Sequence, residues 1–278
     1  MIALSTGSLY NYGTARVFAL AAEIGYDGIE VLIDGRWDTR HADYLRRLSS
    51  DHRLPIVSFH SPFVPDVQGW PFTQIERLKK TAELAKDLSV PLVVAHLPMR
   101  IYGIWGQMNF FNNRRFMLPM PFLKQGKYYR FLLKGCLQHI ERSCGIKVAL
   151  ENMPVHRFLG FRINLYWFND LEGLRRFAHL TLDTTHVATW GYDPLEVYTH
   201  LKQRIVHLHL SNYDGTEHRS PVKGKLALAR LLQQLAIDGY GGVISVEASP
   251  DALDADDETK CRTALEKALI FCRENLAL

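Results

Sequence analysis

Ile205-Val206-His207-Leu208-His209-Leu210-Ser211-Asn212 decides how this chain is read. The run is apolar enough for a strand buried on both faces, yet it carries two histidines and ends in polar residues, which strand propensity gives no reason to place there. Working outward, seven further β-rich runs accompany Ile205–His209: Ile2–Ser5, Gly28–Leu32, Pro55–His60, Pro91–His96, Ile146–Glu151, Leu180–Asp183 and Val243–Glu247. Between them lie segments such as Thr14–Glu23, Thr73–Leu88, Phe131–Cys144, Leu226–Leu235 and Thr259–Glu274, with apolar residues at helical spacing. Turns at Gly25-Tyr26-Asp27-Gly28 and Asp238-Gly239-Tyr240-Gly241-Gly242 stop a helix and start a strand. Strands alternating with helices imply βα units around a parallel sheet, and eight of them close a (β/α)8 barrel of the TIM type.

No Pro/Gly/Ser linker and no low-complexity tract divides the 278 residues, so the expectation is one barrel domain over 1–278. The exception is an irregular insertion at about 99–129, after the fourth strand, which mixes aromatic and basic residues (Trp105, Phe110, Phe111, Arg114, Arg115, Lys124, Lys127, Tyr128, Tyr129) with apolar ones. A connection of this length serves as a lid or an oligomer contact. Its basic and aromatic content also suits a nucleic-acid backbone and stacked bases. The apolar Ile101, Ile104, Met108, Met117, Leu118, Met120 and Phe122 favour packing on protein, in a homo-oligomer or as a lid.

With 47% hydrophobic and 22% charged residues, the chain has the composition of a soluble globular protein. It has no run of about 18 apolar residues and no basic segment ahead of an apolar one at Met1-Ile2-Ala3-Leu4, so a cytoplasmic protein without a membrane span is expected. Cys136, Cys144, Cys261 and Cys272 form no CxxC pair and read as buried thiols without chemistry. A net charge of +4 falls well short of the basic block that by itself indicates nucleic acid.

In a (β/α)8 barrel, functional groups sit where strands end, so a polar residue closing an apolar run is a functional candidate. Six runs close this way: Ser58-Phe59-His60, Val94-Ala95-His96, Ala149-Leu150-Glu151-Asn152, Thr181-Leu182-Asp183-Thr184-Thr185-His186, His207-Leu208-His209-Leu210-Ser211-Asn212 and Ser245-Val246-Glu247. One such residue reads as a cap or a solvated group, whereas six converge on one mouth. Buried carboxylates and imidazoles that face each other are costly unless they share protons, hydrogen bonds or a cation. A mixed oxygen and nitrogen set suits divalent Mn, Co or Zn.

Leu150-Glu151-Asn152, Leu182-Asp183-Thr184-Thr185-His186, His207-Leu208-His209-Leu210-Ser211-Asn212 and Val246-Glu247 resemble the xylose-isomerase-like barrel superfamily over nearly the whole chain. That superfamily spans sugar and sugar-phosphate isomerases and epimerases and the family 2 AP endonucleases, endonuclease IV among them. The resemblance implies a metal held by Glu151, Asp183, His209 and Glu247, with His207 the runner-up to His209, deeper in the barrel. It implies that Glu151 and Glu247 also act as the acid/base pair, exchanging a proton next to a carbonyl through an enediolate that the metal stabilises. It implies, too, that His186 contacts substrate oxygen.

Endonuclease IV adds histidines after strands two to four and in an Asp-x-His pair after strand seven. His60 and His96 resemble the first set, and Glu217-His218-Arg219-Ser220-Pro221-Val222-Lys223-Gly224 resembles the loop of the second. On that likeness His60, His96, His186 and His218 are candidate ligands of additional metals, and equally candidate substrate contacts. Thr216 stands where that family has Asp, which weakens a third metal site. Arg219 is a candidate for a substrate phosphate or carboxylate, or else an exposed loop arginine. Glu30 could reach the mouth or serve the barrel floor, and stays outside the catalytic set.

The expectation is therefore a metal-dependent isomerase or epimerase acting on a small carbohydrate or sugar phosphate. Two alternatives stand beside it: a metal-dependent phosphoesterase on abasic DNA, and a barrel that binds without catalysing.

Overall fold

A computed structural model describes residues 1–100, 102–108, 114–120, 126–158 and 160–277. Eight parallel strands close a barrel: β1 (Ile2–Ser5), β2 (Gly28–Leu32), β3 (Ile56–His60), β4 (Leu92–His96), β5 (Lys147–Glu151), β6 (Leu180–Asp183), β7 (Ile205–Leu210) and β8 (Val243–Val246). Each strand pairs with its neighbours in chain order, and β8 returns to β1 through Ile2↔Ile244 and Leu4↔Val246. The expected (β/α)8 topology is thus the observed one. Its boundaries differ by a residue: Pro55 and Pro91 stay outside β3 and β4, since proline has no N–H for the ladder, and Glu247 lies one position beyond β8.

Local chemistry sets the helix ends. Thr73 caps helix Gln74–Asp87 by accepting from the Glu76 N–H, and its hydroxyl also donates to the Glu76 carboxylate at 2.7 Å. Helix Thr14–Ile24 stops at Gly25, whose φ of 94° lets its N–H reach the carbonyls of Ala21 and Ala22 before the chain enters β2. The helix expected over Phe131–Cys144 is two helices, Lys127–Leu133 and Cys136–Cys144, because Gly135 between them takes a φ of 67°.

Where an irregular insertion is expected, strands Tyr102–Met108 and Arg114–Met120 form an antiparallel hairpin with Ile104 opposite Leu118. Period-two alternation is hard to see there because Gly103, Gly106 and Pro119 break it. The hairpin's base is tied to the segment after β5: the Arg100 N–H donates to the Leu165 carbonyl, and Arg100 lies over the Trp167 ring. Ile101, Phe110, Phe111, Phe122 and Lys124, named above for this segment, lie outside the described residues. A second, shorter hairpin pairs His156–Phe158 with Phe161–Ile163.

All four cysteines are free; Cys261 and Cys272 are buried as expected, whereas Cys136 and Cys144, at the two ends of their short helix, are only half-buried. Among the described residues no helix is long and apolar enough to cross a membrane.

Candidate metal centre

The barrel axis is polar where such barrels are usually filled with Val, Ile and Leu. The period of two along each strand sends Glu30, Ser58, His60, His207, His209 and Ser245 inward, and all of them are buried. Strand register then stacks them. Glu30 lies opposite Ser58, after a shift in pairing between Ile29 and Glu30; His209 lies opposite Asp183 on one side and Ser245 on the other; His96 lies opposite Glu151.

At the C-terminal ends of the strands, donor atoms of Glu151, Asp183, His209 and Glu247 all lie within 4.8 Å of one another. His209 is the hub. Its Nδ1 is 3.0 Å from Glu151 Oε1, 2.9 Å from Glu247 Oε2 and 3.8 Å from Asp183 Oδ2. The other Glu151 oxygen, Oε2, meets His60 Nε2 at 3.2 Å and His96 Nε2 at 3.1 Å. Asp183 caps the helix Thr184–Trp190 by accepting from the His186 N–H at 2.8 Å through Oδ1. That cap fixes the carboxylate and leaves Oδ2 buried with no hydrogen-bond partner among the described residues.

His186 and His218 flank this group, their rings edge-on with centroids 5.4 Å apart, and with Asp183 they form a second cluster of donor atoms. Phe63, more than half exposed, stacks on the His96 ring with centroids 5.5 Å apart. Arg219 is not at the centre; its Nε donates to Asp214 at 3.1 Å on an exposed turn. Glu217, which the sequence reading left without a role, lies 3.7 Å from His186 Nε2. A carboxylate thus stands one position after Thr216, where the resemblance predicts a loss.

Below the hub sits Glu30. Its oxygens accept from the Ser58 hydroxyl at 2.8 Å and the Ser245 hydroxyl at 3.2 Å, and lie 2.7 Å from His207 Nε2 and 3.1 Å from His209 Nε2. Of the two places considered for Glu30, the structure gives the floor of the site. His207, at the same level, is wholly buried and does not join the four upper donors.

Burial pushes the carboxyls of Glu30, Glu151, Asp183 and Glu247 up, and what opposes it differs. At Glu30 and Glu151 the imidazoles, His209 foremost, outweigh burial and hold both well below the ordinary range; Glu247 is brought to about 2 in the same way. Asp183 goes the other way: burial, joined by the charges of Glu151 and Glu247, outweighs His218 and His209 and pushes it up to about 7. Burial lowers the histidines. His96, His186 and His207 stay low, whereas Glu247, Glu30 and Glu151 together hold His209 well above its usual value. Without a cation, these shifts favour a proton on His209 between the two glutamates and, below about pH 7, one on Asp183.

The profile of the xylose isomerase-like TIM barrel family matches residues 18–268. The chain belongs to this family. Among its relatives is an uncharacterized protein of Mycobacterium leprae, 28% identical over 300 residues that cover 99% of this chain and 97% of the relative. Solved structures superpose along nearly the full length. A D-tagatose 3-epimerase-like protein does so with a TM-score of 0.68 at 22% identity, covering 99% of both chains. D-psicose 3-epimerase with D-tagatose, from Clostridium cellulolyticum H10, does so with a TM-score of 0.69 at 14% identity, covering 100% of this chain and 99% of the other. At these identities the likeness carries the fold, and the buried His, Glu and Asp cluster is the feature that suggests a metal.

Proposed function

We propose that this chain is a divalent-metal-dependent isomerase or epimerase of sugars or sugar phosphates, with residues 1–278 acting as one domain. Glu151, Asp183, His209 and Glu247 hold the metal in this reading, and Glu151 and Glu247 also carry the proton. One observation bears most of the weight: three carboxylates and an imidazole converge within 4.8 Å at the strand ends, and one of the carboxylate oxygens, Asp183 Oδ2, is buried with no hydrogen-bond partner among the described residues. Like charges so placed are costly unless a cation or protons join them, and hard oxygens with one imidazole suit Mn, Co or Zn. A bound divalent cation supplies positive charge to the carbonyl and hydroxyl oxygens of a substrate.

The side chains divide the remaining work. Glu247 is the most open of the four, at 17% exposure of its side chain, and can take or return a proton at a substrate carbon. Glu151 is nearly closed off and braced on one oxygen by His60 and His96. His60, His96, His186 and His218 surround the same mouth and are the candidate substrate contacts, His60 and His96 where substrate draws them from Glu151, while Arg219, paired with Asp214, takes no part. The solved D-psicose 3-epimerase with D-tagatose supports a sugar as the ligand class.

Elemental analysis of chain purified without chelator, followed by a ketose screen in D2O, tests this. About one Mn, Co or Zn per chain, with deuterium gained at the carbon next to the carbonyl, is the expected result. A chain with bound metal that exchanges no proton in any ketose or ketose phosphate would overturn it.

A second reading has its own observation. His60, Glu151 and His209 form one donor cluster and Asp183, His186 and His218 another, both sharing residues with the first, and Glu217 stands beside His186. That geometry suits a multinuclear phosphoesterase acting on abasic DNA. Two or more zinc ions per chain and strand cleavage at an abasic site would favour it over the epimerase.

A further inference from the structure

Four groups converge on the Glu30 carboxylate inside the barrel: the hydroxyls of Ser58 and Ser245 and the Nε2 atoms of His207 and His209. Glu30, Ser58, Ser245, His207 and His209 are each fully buried, so no bulk water reaches this floor. Although glutamate and two histidines form a metal-ligand combination, a cation does not suit these contacts. Two ligands of one ion keep about 3 Å or more between them, given bonds of roughly 2.0–2.2 Å, and His207 Nε2 is 2.7 Å from the Glu30 oxygen. The contacts are those of N–H groups against a carboxylate. They are bent rather than linear, since neither Nε2 meets hydrogen-bond geometry. The alternative, a ring lone pair pressed against carboxylate lone pairs at 2.7 and 3.1 Å, is repulsive and finds nothing to offset it.

We infer that Glu30 is a positioning residue that fixes His209 with its hydrogen on Nε2, so that Nδ1 presents a lone pair to a cation shared with Glu151, Asp183 and Glu247. This rests on the metal reading proposed above and adds the group that makes His209 competent for it. The argument is one of geometry. A carboxylate only accepts, so each imidazole nitrogen facing it carries a hydrogen, and a neutral ring then has its free pair on the other nitrogen. In His209 that other nitrogen is the one 3.0 Å from Glu151 and 2.9 Å from Glu247. The serines complete the device: with Ser58 and Ser245 donating, the carboxylate cannot turn toward the mouth without breaking two hydrogen bonds. His207 holds it from the remaining side, which gives the deeper histidine a task other than ligation.

Full-length wild-type protein and Glu30→Gln are titrated with Mn²⁺ and with Zn²⁺ by calorimetry, and 15N-histidine NMR is recorded on the Zn²⁺-loaded wild type. Glutamine keeps the volume and one acceptor, but its NH2 faces one imidazole as a donor and disturbs the hydrogen arrangement. The expected result is a 10- to 100-fold loss of affinity for both ions, the usual cost of losing a partner behind a metal-bound histidine. Melting temperature and circular dichroism should stay near wild type. The Zn²⁺-loaded wild type should show His209 protonated at Nε2 and ligating through Nδ1, a signature that a merely structural Glu30 would not determine. Equal affinity in the variant, or ligation through Nε2, overturns the inference. A wild type that binds neither ion fails the metal reading itself and is told apart by that result. Should Glu30→Gln not fold, the NMR of the wild type decides alone.

Discussion

Two groups of polar side chains lie one above the other inside this barrel, and His209 belongs to both. In the lower group one carboxylate, Glu30, accepts from two hydroxyls and has two imidazole Nε2 atoms within 3.1 Å in bent contacts, while His207 Nδ1 has no hydrogen-bond partner among the described residues. In the upper group three carboxylates crowd one ring nitrogen and Asp183 Oδ2 has no hydrogen-bond partner among the described residues. Burial penalises both alike. The difference is one of charge: the floor sets one carboxylate among four groups that can donate to it, whereas the mouth sets three carboxylates around one ring nitrogen, the arrangement that suits a cation.

The largest effect expected from breaking this contrast is at Glu247. Replacing it with Gln keeps the shape and removes the carboxylate that can carry a proton, so deuterium exchange into a ketose substrate should fall by about 10²–10⁴ while the fold survives. Circular dichroism and a solvent-exchange assay check it, and unaltered exchange would remove Glu247 from the acid/base pair.

The next effect concerns pH. The Asp183 carboxyl is pushed up to about 7 and the His209 imidazole is held well above its usual value. For Asp183, a value raised above that of the unfolded chain means its neutral form fits the fold. Stability from this group is full at acid pH and is lost as pH rises toward about 7. His209 acts in the same direction: its contribution is full below its unfolded value and is lost progressively as pH rises from there through the raised folded one. Because His96, His186 and His207 are held low and favour higher pH, the effect is read by difference: from pH 6 to pH 8 the cation-free wild type should lose more melting temperature than Asp183→Asn. A divalent ion displaces these protons, so it should bind more tightly at pH 8, with proton release seen as buffer-dependent heat. At a free concentration of 100 times Kd it should add about 2.7 kcal/mol. A cation effect that is the same at both pH values would show that the upper layer does not hold the protons assigned to it.

Much of this contrast is legible from residues alone, and its limits have physical causes. Strand ends are readable because apolar runs that close on His, Asp or Glu have no propensity reason to do so, which picks out His60, His96, Glu151, Asp183, His209 and Glu247 together. Glu30 is not readable in this way. Gly28-Ile29-Glu30-Val31-Leu32 resembles any buried strand with one polar residue, and its partners Ser58, His207 and Ser245 come together only through barrel closure and a register shift after Ile29. Asp183 Oδ2 becomes exceptional only once the helix cap has claimed Oδ1. The hairpin of Tyr102–Met108 with Arg114–Met120 was hidden by its own glycines and proline, and the place of Glu217 depends on the backbone turn that gives His218 a φ of 56°.

A finer separation of the two readings of the mouth comes from His60. Its Nε2 touches Glu151 Oε2 at 3.2 Å and its Nδ1 lies 3.0 Å from the Ser61 carbonyl, so both nitrogens have partners without a metal. If His60 braces Glu151 or meets substrate, His60→Ala should leave the metal count per chain unchanged and weaken substrate binding by roughly 1.5–3 kcal/mol, the range for a hydrogen bond to a charged group. If it ligates a second ion, the count falls by one. Elemental analysis beside substrate titration distinguishes the two.

The smallest effect is expected at Arg219, and it tests where the site stops. Its guanidinium pairs with Asp214 on a turn where both side chains are about a third exposed or more, so water screens the pair and its loss should leave the melting temperature near that of the wild type. Arg219→Ala should then leave affinity for an unphosphorylated ketose and for its phosphate in the same ratio as in the wild type. A selective loss for the phosphate would mean that Arg219 leaves Asp214 when substrate arrives, carrying the binding surface beyond the strand ends to the turn after β7.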